Sequence, residues 1–290
     1  MTSRSLTMRT VTFVRARVLM ALYGLLSSFG RRSLVEPDGP VVSLTSYGQR
    51  VRVVHLAIES IGRGRKRPSR ILLWLDDPGL VEAPPRSLQR LLGRGLEILA
   101  CPDYGPHKKY FPFALTREEH CDTLVSADDD VLYPRQWLAF LANASIQQPE
   151  AILAHRVDRA AVADGVIAPY ASWGRAHDPA PSPRNFAVGV KGVLYPPGAL
   201  DELRDAGNSF VETAPRSADI WFNLVALRHR RPVVPVEGLP IRAIVPMRGV
   251  DLGESLMESN VVRGRNDRLR DVLFTEAERQ AVLRDDYDCL

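Results

Sequence analysis

From residue 41 onward, short apolar runs alternate with stretches whose apolar residues recur every three or four positions, and this alternation constrains the fold most. Val41–Thr45 (VVSLT), Arg70–Leu75 (RILLWL), Leu96–Ala100 and Thr123–Ala127 (TLVSA) read as strands. Val51–Ile61, with Val54, Ile58 and Ile61 at helical spacing, reads as a helix, as does Pro84–Arg94. Pro134 opens a third, carrying Trp137, Leu138 and Leu141. Strands alternating with helices of about ten residues imply βαβ units and a mainly parallel sheet with helices on both faces. The expected fold class is therefore α/β, Rossmann-like. Such sheets bind ligands at the carboxyl ends of their strands.

The second half is less regular. Ala151–Arg156 and Gly189–Leu194 read as strands around a proline-bearing loop, Tyr170–Asn185. Ser217–Arg230 reads as an amphipathic helix with Ile220, Trp221, Leu224, Val225 and Leu227 on its buried side. Pro232–Val236 is a short strand and Leu269–Arg284 a final helix. A chain of 290 residues, 45% hydrophobic and 25% charged, can bury a sizeable core. That composition excludes a disordered tail, a collagen-like fibre and a multi-span membrane protein. Cys101, Cys121 and Cys289 show no CxxC spacing, which points to a reducing, cytoplasmic location.

Charge is unevenly spread. Residues 1–70 carry thirteen Lys/Arg against three Asp/Glu, so +10, while the remainder carries −6. Within the first part, Val18–Phe29 (VLMALYGLLSSF) is apolar for twelve positions, short of the roughly 18–20 needed to span a bilayer. Val14, Val18, Leu22, Leu25 and Phe29 share one helical face; Arg17, Ala21, Gly24, Ser28 and Arg31 share another. This is the pattern of a basic amphipathic helix lying on an anionic membrane surface, and equally of a helix packed on the main domain. The expectation is peripheral contact with the inner face of the cytoplasmic membrane through residues 14–32. Glu36-Pro37-Asp38-Gly39-Pro40 reads as a linker. The division expected is residues 1–39 as helix and linker, 40–250 as a single catalytic domain and 251–290 as a C-terminal helical extension.

Asp128-Asp129-Asp130 follows the apolar run TLVSA directly. Three adjacent carboxylates repel one another, and a divalent cation removes that penalty. Mg²⁺ or Mn²⁺ suits such hard oxygen ligands. A solvated acidic turn is the alternative, disfavoured because apolar segments flank the trio on both sides.

The block LVSADDDVLYPRQWL resembles the DxD motif of bacterial nucleotide-sugar glycosyltransferases of the GT-A fold, GT2-like enzymes of polysaccharide and glycolipid synthesis. VSLTSYGQR (Val42–Arg50), GPHKKYFP (Gly105–Pro112), GVLYPPGAL (Gly192–Leu200) and SADIWFN (Ser217–Asn223) resemble further blocks of the same enzymes, in the same order. The resemblance covers roughly residues 40–230. It implies a GT-A-like sheet and a metal-dependent transfer of a sugar from a nucleoside-diphosphate sugar to a hydroxyl of a cell-surface glycan or glycolipid. Asp128 and Asp130 would hold Mn²⁺ or Mg²⁺, and one carboxylate of the trio, with Asp128 and Asp129 as the candidates, would meet the nucleotide. Thr45, Ser46 and Tyr47 would contact the nucleoside, with Arg50, Lys108 and Lys109 near the diphosphate.

Asp219 would be the base of an inverting transfer, accepting the acceptor hydroxyl proton. Its bland alternative is an acidic residue favoured in a helix's first turn by the macrodipole. Many relatives carry two acidic residues at this point, and this chain carries one. Gly189, Lys191 and Gly192 would allow close backbone approach to donor sugar or acceptor, or else form a bulge. Two other readings compete. A nucleotidyltransferase shares the carboxylate–metal logic but wants a Gly-rich phosphate loop, where Ser43–Arg50 has only Gly48. A non-catalytic carbohydrate- or nucleotide-binding protein would be favoured by an interrupted trio. Nucleic acid is not expected: the basic stretch Arg63–Arg70 lacks interleaved aromatics.

Overall fold

The structure, a computed structural model, describes residues 3–240, 243–247, 260–261 and 263–290, with side chains from residue 12 onward. The expected boundary between residues 250 and 251 lies outside them. The chain is a mixed α/β protein with a mainly parallel sheet flanked by helices, as the alternation of runs requires. Its contacts divide it into two units.

The first unit gathers Met1–Ala100, Asp128–Ala139 and Leu239–Gly253. Its strands β1 (Val41–Thr45), β2 (Ile71–Leu75) and β3 (Leu96–Ala100) run parallel, with Val42 opposite Ile71 and Ile71 opposite Leu96. Both β1 and β2 are buried along their whole length, which is why they read as unbroken apolar runs rather than alternating ones. Helix α1 (Ser3–Phe29) packs on α2 (Val54–Gly62). The short α3 (Pro78–Glu82) is capped by Asp77, and α4 (Arg86–Leu92) leads back into β3. Helix α2 starts three residues later than its spacing predicts. A 3₁₀ turn, Gly48–Arg52, precedes it because Gly48 takes the left-handed conformation at φ 52°. The expected linker is fastened to the unit: the Arg67 N–H donates to the Glu36 carboxylate at 2.8 Å. A Cβ on Gly39 would sit 2.0 Å from the Arg67 carbonyl, so only glycine fits there.

The second unit comprises Cys101–Ala127, Phe140–Gly238 and Glu254–Leu290. Its β4 (Leu124–Ser126) pairs antiparallel with Val193–Tyr195, which pairs antiparallel with Ile152–Ala154. That strand in turn runs parallel to Val233–Pro235. A second, antiparallel sheet joins Val157–Arg159 to Gly174–Arg175 and Asn185–Ala187.

Three sequence expectations are corrected here. The helix of Ala218–Arg228 is not amphipathic: every residue from Ile220 to Leu227 is buried. Ile220, Leu224 and Leu227 share a core with Phe186, Phe274, Ala281 and Val282. The final helix is two helices, Arg265–Leu273 and Glu276–Arg284. They part where Thr275 and Glu278 form a capping box that starts the second. The run Gly189–Leu194 is mostly a turn. Lys191 (φ 83°) and Gly192 (φ 104°) leave extended geometry, and the strand begins at Val193.

Candidate functional site

The acidic trio belongs to the first unit, where it is built together with the end of β1. Asp129 is buried, and its carboxylate accepts from Ser46 Oγ at 2.6 Å and from the Arg50 guanidinium at 3.0 Å. Arg50 also reaches Asp130 at 3.1 Å, so one guanidinium spans two of the three carboxylates. Burial alone would lower the Arg50 pKa; Asp129 and Asp130 outweigh it and hold the guanidinium above its ordinary value. The same guanidinium lies 5.3 Å from the centre of the half-exposed Tyr47 ring.

The backbone of the trio is fixed as firmly. The Asp128 N–H donates to Tyr133 Oη at 2.6 Å, the Tyr133 N–H donates to Ser60 Oγ on α2 at 2.9 Å, and the Asp130 carbonyl accepts from the Met247 N–H at 2.8 Å. Tyr133 is fully buried, and burial, followed by the Asp128 charge, pushes its pKa well above the ordinary phenol range. It stays a neutral hydroxyl. Asp129 faces inward, while Asp128 and Asp130 are partly exposed, Asp130 with a third of its side chain accessible.

A Mn²⁺ or Mg²⁺ ion fits this donor set. Such ions are commonly held by one or two carboxylates plus substrate phosphates rather than by a protein cage. Asp128 and Asp130 supply two hard oxygen donors, and no cluster of three His, Cys, Asp or Glu assembles among the described residues.

Of Thr45, Ser46 and Tyr47, Tyr47 alone is exposed. The Thr45 hydroxyl donates to the Trp74 carbonyl at 3.0 Å and that of Ser46 is spent on Asp129, so both look into the fold.

The other candidate residues lie in the second unit. Asp219, in the first turn of the Ala218–Arg228 helix, accepts from the Gly189 N–H through Oδ1 at 3.1 Å. A Cβ on Gly189 would stand 2.9 Å from that oxygen, so the glycine permits the approach. Asn223, one turn further on, holds the helix to the strand Asn185–Ala187. Its Oδ1 accepts from the Ala187 N–H at 2.8 Å, and its Nδ2 donates to the carbonyls of Ala187 at 2.8 Å and Asp219 at 2.7 Å. Sequence reading passed over Asn223; the available signal was a polar residue four positions after Asp219 on an otherwise apolar helix.

Three buried phenols feel the charge of this carboxylate. Burial, with the Asp219 charge adding to it, raises the pKa of Tyr110, Tyr170 and Tyr195. Next to Tyr110, His107 is buried and stacks on Phe210 with ring centres 3.9 Å apart. Burial lowers its pKa to about 4, so it is neutral at physiological pH. A carbonyl can only accept, so the His107 proton sits on Nε2 and donates to the Ala214 carbonyl (2.9 Å). Nδ1 then accepts from the Tyr110 hydroxyl (2.6 Å).

Lys108 is buried and pairs with Asp103 at 3.2 Å, and Lys109 is partly exposed beside it. Lys191 is partly exposed; burial, then Arg175 and Arg156, lower its pKa. Gly192 closes the turn, its N–H donating to the Gly189 carbonyl at 3.2 Å. The structure thus gathers Asp128, Asp129, Asp130, Ser46, Arg50 and Tyr47 in one unit, and Asp219 with Gly189 in the other.

No protein-family model matches the sequence, and no curated protein matches it. Among solved structures, the fold is similar to the mannosyltransferase PcManGT from Pyrobaculum calidifontis in complex with GDP-Man and Mn²⁺, at 12% identity and a TM-score of 0.48, over 97% of this chain and 80% of that one. It is also similar to S. aureus TarS 1–349, at 13% identity and a TM-score of 0.44, over 68% of this chain and 58% of that one. A third similar structure is the inositol-1-phosphate CTP transferase from T. maritima, at 9% identity and a TM-score of 0.36, over 68% of this chain and 85% of that one.

Proposed function

We propose that the protein is a metal-dependent glycosyltransferase that moves a sugar from a nucleoside-diphosphate sugar to a hydroxyl of a glycan or glycolipid, with inversion. The observation that carries this reading is the construction of the acidic trio. A strand end that buries one carboxylate against Ser46 and Arg50, and leaves the two flanking ones partly exposed, is a device for presenting a pair of oxygen donors. Asp128 and Asp130 would hold a Mn²⁺ or Mg²⁺ ion, which when bound supplies Lewis-acid stabilisation to the departing diphosphate. Arg50 keeps the trio from repelling itself, and Tyr47 offers a ring face to the base. Lys108 and Lys109 are assigned to the charge of the diphosphate.

In the second unit, Asp219 would take the proton of the acceptor hydroxyl as its oxygen attacks the anomeric carbon. The Gly189 N–H, donating to Asp219 Oδ1, orients the carboxylate. Asn223 fixes the turn that carries it.

The test is turnover of a panel of UDP-, GDP- and dTDP-sugars with Mn²⁺. Asp130→Ala should abolish hydrolysis and transfer while the protein remains folded. Asp219→Asn should lower transfer by about two to four orders of magnitude with donor binding nearly unchanged. Undiminished turnover in Asp130→Ala would overturn the reading. Consumption of a nucleoside triphosphate with a sugar phosphate, in place of a nucleotide sugar, would assign the protein to nucleotidyl transfer.

A further inference from the structure

We propose that α1 seats the first unit on an anionic lipid bilayer, with its outer apolar stripe in the headgroup region and a lipid phosphate in the basic cleft at its C-terminal end. The helix meets the unit through one face only. Ala16 and Ser27 are buried there, and Gly24 lies over Leu56 of α2. On the opposite face Val14, Val18, Leu22, Leu25 and Phe29 fall within a sector of about 80° at helical periodicity. All five are exposed, Val18 by 61%, Leu25 by 60% and Phe29 by 79%. A contiguous apolar surface of this kind on a folded unit marks a contact site.

The stripe is edged with cations. Arg15 flanks it on one side and Arg17 on the other, both exposed, and Arg31 and Arg32 follow its end. No acidic residue precedes Glu36. Beside Phe29 opens a cleft of about 460 Å³, lined by Ser28, Gly30, Arg31, Arg90 and Arg94 among others. The negative end of the helix dipole is covered there: the Leu26 carbonyl accepts from the Gly30 N–H at 2.7 Å and from Arg94 Nη1 at 3.5 Å. The Arg94 charge is committed to the buried Glu59, at 2.8 and 3.0 Å. Arg31 and Arg90 therefore give the cleft its positive charge.

The same Glu59 network decides between lying on the bilayer and crossing it. Thr12–Phe29 is long and apolar enough to span a membrane by length and composition. Spanning would strip the packed face from α2 and break the Arg94 contact with the end of the helix. A second copy of the chain is the wrong occupant on charge. A two-fold pairing of the stripes would set the arginine edges of one helix against those of the other, with no acid on either helix to answer them. A leaflet of anionic lipid answers both the stripe and its edges.

The test is co-sedimentation of the full chain with phosphatidylcholine vesicles, with and without phosphatidylglycerol, at low and high salt. The protein should pellet with phosphatidylglycerol vesicles at low salt and remain in solution with phosphatidylcholine alone. Each cation near the surface is worth about five-fold in partitioning, so Arg31→Ala with Arg90→Ala should weaken binding about twenty-five-fold. Val18→Asn with Leu25→Asn, both solvent-facing and neutral for folding by thermal melting, should weaken it ten-fold or more. Absence of binding to phosphatidylglycerol vesicles would overturn the proposal. So would a dimer in solution that the Val18→Asn and Leu25→Asn pair dissociates, which would give the stripe to a second copy. Undiminished binding of the Arg31→Ala, Arg90→Ala variant would overturn the headgroup cleft.

Discussion

Asn223→Ala tests the idea that the candidate base is held in place from behind. The wild-type amide makes three hydrogen bonds in a buried setting, one from the Ala187 N–H and two to the carbonyls of Ala187 and Asp219. A net intramolecular hydrogen bond is worth about 1 kcal/mol, and a buried donor left unmade costs about 1–3 kcal/mol. Ala187 is fully buried, so its N–H has no water to fall back on. The expected loss is about 3–4 kcal/mol, which for a cooperative unit of roughly 150–250 residues lowers the melting temperature by about 10 °C. Asn223→Asp is the companion. It keeps an acceptor for the Ala187 N–H but turns oxygen toward two carbonyls, so it should be no better than alanine. Differential scanning fluorimetry and sugar transfer are measured on the same samples. If Asn223→Ala melts within about 2 °C of wild type, the amide is not what ties the Asp219 helix to its strand, and the reasoning fails.

Arg50→Ala removes the cation that spans Asp129 and Asp130 and leaves a buried carboxylate against Ser46 alone. Urea unfolding should show a loss of about 3 kcal/mol. His107 gives a pH prediction. Its folded pKa, about 4, lies below the ordinary 6.5, so the unfolded chain binds the extra proton and stability falls as pH drops from 6.5 toward 4. The full effect is on the order of 3 kcal/mol, and His107→Gln should flatten that part of the stability–pH curve; an unchanged slope would show that another group carries it.

Much of the candidate site was legible because its chemistry is local in sequence. Three consecutive carboxylates after an apolar run announce themselves, and a strand end is where an α/β sheet places ligands. The partners of that trio were not legible. Ser46 and Arg50 lie 83 and 79 residues from Asp129, and no spacing rule joins residues that far apart. His107, Tyr110 and Asn223 escaped for the same reason, each being defined by what folds against it.

The sequence by itself determined the strands of the first unit, the helices between them and the apolar stripe of α1, because continuous runs and helical periodicity are local properties of the chain. Which faces would be covered was decided only in three dimensions. The helix of Ala218–Arg228 is buried from Ile220 to Leu227, and Phe274, Ala281 and Val282 from later in the chain join its core. Helix α1 packs through Ala16 and Ser27, small residues with little apolar signal, and keeps its strongest hydrophobic stripe outside. Burial depends on what a distant part of the chain brings to a surface, and a helix pattern records only which faces are able to accept it.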